Sequence, residues 1–135
     1  MVAANRRTEA DVSVGVIAAI NAVTAPFAAY DGQDLRAMST LPPTYTEVVV
    51  TSRGGGARQL RVGEWAGRSR HRVMLRVVSD RLDNARRMRA LIEQRFTSTP
   101  VAFGDVSRPL VRDSETPINP DEGAWSGVTT WTLTI

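Results

Sequence analysis

The chain of 135 residues has the length of one domain, and its 42% hydrophobic and 23% charged residues suit an ordinary packed core and argue against wholesale disorder. It has no cysteine, which excludes a disulfide framework and thiolate metal sites, and no apolar run approaches the roughly 20 residues of a membrane span. Its 17 basic residues, all arginine, exceed the 14 acidic ones by only three, too few to imply a nucleic-acid partner on their own.

Near the N-terminus, Arg6 and Arg7 are followed at once by Thr8, Glu9 and Asp11, unlike a signal peptide. Thr8 and Asp11 form a capping box with Asp in the Glu position, and Val12, Val16, Ala19, Ile20 and Val23 then make an apolar stripe. These features predict a helix from Glu9 to Thr24, closed by Pro26. Its valines and Gly15 give it poor intrinsic propensity, so packing must hold it. Residues 27–44 read mainly as loop, with a turn at Tyr30-Asp31-Gly32, one helical turn between Asp34 and Met38, and a rigid Leu41-Pro42-Pro43 approach. The β-branched run from Tyr45 to Ser52 predicts a strand. Gly54-Gly55-Gly56 breaks it, and Leu60 and Val62 suggest a short return strand.

From Arg72 the period changes within a few residues. Val73, Leu75 and Val77 alternate as in a strand, and Leu82, Ala85, Met88, Ile92 and Phe96 then step by threes and fours along a helix face. Asp80 stands where an N-cap belongs, with Asp83 three residues later. A short strand is expected at Val101–Phe103 or Pro109–Val111, while Asp113–Gly127, with two prolines and two glycines, fits no regular element. Val128–Ile135 closes the chain as a strand with Trp131, Leu133 and Ile135 on one face. The order predicts a single α+β domain over 1–135: a mostly antiparallel or mixed sheet of four to five strands with two main helices on one face.

No catalytic, metal or cofactor constellation emerges. His71 is the single histidine, so no histidine pair or triad can bind a metal, and catalysis by it would need an orienting partner and a pocket. The glycine triplet runs into Ala57-Arg58-Gln59-Leu60 instead of a helix, so it reads as a hairpin tip and not a phosphate loop. Capping accounts for Asp80 and Asp83. Asp113, Glu115, Asp121 and Glu122 lack calcium-loop spacing, Glu47 is an outward strand residue, and no Gly-x-Ser-x-Gly elbow occurs. The arginines form two groups. Arg53, Arg58, Arg61, Arg68, Arg70 and Arg72 flank the strand loops, and Arg81, Arg86, Arg87 and Arg89 mark the outer helix face, with Asp83 and Glu93 as partners for some. A solvated surface explains both groups; contact with an acidic partner, DNA or a neighbouring subunit, is the functional reading. The second face of the Arg72–Ser79 strand, with Met74 and Val78 beside Arg72 and Arg76, is more apolar than free solvent requires and suggests a covered, self-associating face.

The order of elements resembles the tail terminator proteins of long-tailed, siphovirus-type bacteriophages, especially those of actinobacteria. The residues that carry it are the N-terminal helix, Leu41-Pro42-Pro43-Thr44-Tyr45 leading into Glu47-Val48-Val49-Val50, the glycine-rich hairpin, the Arg72–Ser79 strand, Asn84-Ala85-Arg86 opening the helix, and the polar–aromatic last strand. The resemblance implies a virion protein, assembled in the host cytoplasm, that forms a ring, expected to be a hexamer, at the head-proximal end of the tail. It would end polymerisation of the tail tube and present the joining surface for the head. Its partners would be its own copies, the tail-tube protein and a head-closure or other neck protein, with non-specific contact to passing DNA and none to membrane. The family supplies no catalytic residues. Arg53, Arg58, Arg61, Arg68, Arg70, Arg76 and Arg86 are the candidates for a subunit seam or the ring lumen. The alternatives are another neck protein, for head closure or tail completion, or a small arginine-rich nucleic-acid-binding module.

Overall fold

The computed structural model describes residues 8–52 and 70–135. The glycine-rich tip, the Leu60–Val62 return strand and Arg53, Arg58, Arg61 and Arg68 lie outside them. Helix α1, Glu9–Thr24, opens with the expected capping box: the Asp11 N–H donates to Thr8 Oγ1 at 3.1 Å, and the Thr8 N–H donates to the Asp11 carboxylate at 3.0 Å. Strand β1, Ala28–Asp31, and the short helix α2, Gly32–Ala37, follow, then β2, Thr44–Ser52, and β3, Arg70–Ser79. Helix α3 spans Leu82–Ser98. Beyond it lie β4, Val101–Phe103; β5, Val106–Arg108; β6, Val111–Glu115; β7, Asn119–Asp121; and β8, Ala124–Thr134.

The result is a mixed α+β fold. The main sheet has six strands in the order β1-β2-β3-β8-β6, with β7 also paired to β8, and β4 and β5 form a separate two-stranded sheet. Only β1 runs parallel to its neighbour, β2. Valines 48 and 73, Leu75 and Val77, together with Trp131 and Leu133, occupy one face, as the register Val48↔Leu75 and Val73↔Trp131 requires. Val12, Val16 and Ile20 of α1 and Met88, Ile92 and Phe96 of α3 cover that face. Phe96 meets Trp131 edge to face with ring centroids 5.1 Å apart, and Trp131 donates its indole N–H to Thr129 Oγ1 at 3.0 Å, so the largest core side chain leaves no polar atom stranded.

Three sequence expectations are corrected here. Residues 28–31 are a strand and not loop: Asp31, expected in a turn, ends β1 and caps α2 by accepting the Gln33 N–H at 2.9 Å. Asp80 is not the cap of α3. Arg81 holds that position without a side-chain cap bond; Asp80 donates its N–H to Pro43 O, and Ser79 Oγ accepts the Arg81 N–H. Asp113–Gly127 is not irregular: β6 runs to Glu115, β7 spans 119–121, and β8 begins at Ala124, because Gly123 at φ +84° allows a tight turn from β7 into β8.

Gly15 explains how an intrinsically weak α1 is seated. A β-carbon there would stand 2.5 Å from the Phe103 ring and 2.8 Å from Ala102 O, so only glycine lets β4 lie directly on the helix. At Gly32 of α2 the fit is looser: a β-carbon would stand 3.1 Å from both Glu47 Oε2 and Val49 Cγ2, the ends of two side chains. Helix α2 covers one end of the reverse sheet face, where Leu35, Tyr45 and Val78 form a second small buried cluster. The rest of that face carries no helix among the described residues.

Candidate assembly surfaces

Four surfaces are built by this arrangement. The first is the reverse sheet face. Register places Glu47 opposite Arg76 and Val49 opposite Met74 on β2 and β3, and Val128 and Thr130 continue the same rows on β8. The Arg76 Nε donates to Glu47 Oε1 at 3.0 Å, so Arg76 is neutralised within the chain. Glu47, Val49, Met74, Val128, Thr130 and Thr132 are all half-buried, and Arg70 and Arg72 are exposed at the far end.

The second surface is the outer side of α1. No charged residue occurs from Val12 to Tyr30, and Val14 (68% exposed), Ala18 and Ala22 face outward at helical spacing. Helix α3 lies in the same layer yet presents Arg81, Asp83, Arg86, Arg87 and Gln94 to solvent. Two helices of similar length on one sheet therefore have opposite outer faces, one solvated by charge and one bare.

The third surface is the arginine face of α3, which is narrower than the sequence implies. Arg81 pairs with Asp83 at 3.3 Å, and its side-chain hydrogen bond holds the Asp83 carboxyl below the usual range. Arg89 does not face outward. Its side chain folds over Gly127 and approaches Glu115 at 3.7 Å. Glu93 partners Arg112 of β6 and not an α3 arginine, and Arg112 also meets Glu115 at 2.5 Å; the Glu93 hydrogen bond and charge first, then the Glu115 charge, raise the Arg112 pKa. These contacts tie α3 to β6. Arg86 and Arg87 remain exposed with no ion pair among the described residues.

The fourth is a groove of about 320 Å³ at the β2 edge, lined by Glu9 and Ala10 of α1, Asp31 to Gln33 and Arg36 at α2, and Val48–Val50. It forms because β1 pairs only as far as Val48 and then turns into α2, so that on the β1 side the last four residues of β2 have no neighbouring strand among the described residues. Glu9 closes part of the gap by accepting the Ser52 N–H at 2.6 Å. Asp31 accepts from Ser13 Oγ at 2.7 Å as well as from Gln33. Sequence reasoning missed this groove because Ala28-Ala29-Tyr30 lacks both alternation and β-branching, the two signals that reveal a strand.

His71 lies on the core face of β3, 1% exposed, and burial lowers its pKa, with the Glu9 carboxylate opposing the shift. It is part of the packing and not of an exposed pocket. Among the described residues no group of three His, Asp or Glu side chains is placed to hold a metal, and no helix is long and apolar enough to cross a membrane. Of the candidate seam arginines within the described residues, Arg70 and Arg76 share β3 and Arg86 lies on α3, so the fold does not gather them into one cluster.

No protein-family model matches the chain, and no curated protein does. Several chains of solved protein structures match, and one of them covers 93% of this chain and 90% of its own length at a TM-score of 0.58 and 12% sequence identity. At that identity the likeness concerns the fold alone.

Proposed function

We propose that this protein is a structural component of a bacteriophage virion, a tail terminator that forms a ring, six-membered by analogy, at the head-proximal end of the tail. The observation that carries the reading is the bare outer face of α1 beside the charged face of α3: a helix that carries no charge from Val12 to its end at Thr24 is suited to burial against another subunit. The half-buried reverse sheet face supports it, as does the whole-chain resemblance in element order. A ring closes when one patch meets a different patch on the next copy and the rotation returns to its start. One rim of such a ring would match the last ring of the tail tube, and the other would not repeat that surface, so growth stops and the neck proteins find their seat. The role is architectural and non-catalytic. Sedimentation of the purified protein, alone and with tail-tube protein, tests the proposal, with rings that bind tube ends expected.

Arg86 and Arg87 favour one further element of the reading, contact with passing DNA phosphates. Duplex affinity that falls steeply with salt is expected of them, and Arg86→Ala with Arg87→Ala should remove it.

A further inference from the structure

Among the described residues, the β2 edge is open where β1 stops. Backbone polar groups of alternate strand residues point to the same edge, and the Ser52 N–H points toward Glu9, so the N–H and C=O of Val50 point into the groove as well. No hydrogen bond engages them among the described residues. This run, Val49-Val50-Thr51-Ser52, has no bulge, proline or charge to discourage pairing. The opposite edge of the sheet is blunted. Strand β6 carries Arg112, Asp113 and Glu115 and has a register break between Arg112 and Ser114. The outer edge of β1 is also occupied in part, since the Ala29 N–H donates to Asn21 Oδ1 at 2.8 Å.

We infer that the groove accepts the β5 strand, Val106-Ser107-Arg108, of a second copy, which extends the β1-β2 side of the sheet from subunit to subunit. The inference rests on the ring reading and names its seam. Three observations select this occupant. Among the described residues, strand β5 pairs only with β4 and its other edge is open, and Pro109 limits it to three residues, a length suited to the four-residue gap. Its exposed Arg108 complements a groove rim with two carboxylates, Glu9 and Asp31, against one guanidinium, Arg36. Both carboxylates accept only neutral donors in the described hydrogen bonds, so their charge is still available to Arg108. A two-fold pairing of β2 with β2 is disfavoured by the same charges, because it would bring the acidic rims together. The contact is therefore heterologous, the kind that closes rings.

The absence of native cysteine makes the test direct. Thr51 and Ser107 are both exposed, and directly opposed residues of paired strands lie within disulfide reach. Oxidising a mixture of Thr51→Cys and Ser107→Cys chains should give mixed disulfide dimers, and the doubly substituted chain should give a ladder ending at the ring size. Self-cross-linking of Thr51→Cys at the same rate, or no mixed disulfide from a protein that sediments as an oligomer, overturns the seam while leaving the ring reading standing. A wild-type protein that stays monomeric at high concentration overturns both. As a second arm, Val50→Pro removes the N–H that points into the groove and keeps the β3 ladder, so it should shift the oligomer to monomer with unchanged circular dichroism; an unchanged oligomer of this folded variant also overturns the seam.

Discussion

The guanidinium of Arg89 lies directly over Gly127, where a β-carbon would stand 2.8 Å from Nη1. Ile118 closes the same space from the other side, with its Cα 3.2 Å from that position. A bare backbone position on β8 thus lets an α3 arginine cross the core edge and reach Glu115. Gly127→Ala should destabilise the protein by about 1–3 kcal/mol, the usual cost of overpacking. Urea denaturation checks it, with a lower midpoint at an unchanged slope expected.

Gly15 tests the packing of α1 from the opposite direction. On helix propensity alone, Gly15→Ala gains about 1 kcal/mol. The 2.5 Å approach to Phe103 and the 2.8 Å approach to a backbone carbonyl outweigh that gain, so a net loss of about 1–3 kcal/mol is expected. Pairing it with Phe103→Leu should recover part of the loss, as double-variant denaturation would register.

His71 should make stability depend on pH in a defined direction. Its folded pKa is lowered by burial, so the unfolded chain binds the proton more readily. Stability is then fully present above the unfolded pKa of about 6.5 and is lost as pH falls below it toward the folded value. With one proton involved, the slope cannot exceed about 1.4 kcal/mol per pH unit. Thermal melts between pH 7.5 and 5.5 should show this loss, and His71→Leu should flatten the profile.

Val14 separates surface from seam. It is 68% exposed, so Val14→Glu should leave the monomer fold within about 0.5 kcal/mol. If the bare α1 face is buried between subunits, the same change should reduce oligomer formation severely. Sedimentation and circular dichroism on one sample read both effects.

The legible parts of the fold were those with a strong period. Helix α1, β2, the β3–α3 unit and the buried face of β8 were evident because their apolar residues repeat at 3.6 or 2. The elements that escaped notice are held by pairing. Ala28–Asp31 is a strand because β2 offers it a ladder, and Asn119–Asp121 because β8 does; neither has a periodic apolar face. Asp80 fits the sequence rule for a cap, but its N–H is tied to Pro43 O, and the cap position of α3 falls one residue later, at Arg81, with no side-chain cap bond. The β2 groove was illegible for a similar reason, since it is made by where β1 stops. The mixed apolar–arginine reverse face was visible in the alternation of β3, whereas Arg89 was misplaced because helix position alone does not show a side chain folding back over a glycine.

Electron microscopy of the purified protein, with sedimentation at the same concentrations, tests the central claim most directly. The account predicts closed rings with a central hole wide enough for duplex DNA, and binding of those rings to the ends of tail tubes. A protein that remains monomeric at high concentration, both alone and when mixed with tail-tube protein, would contradict it.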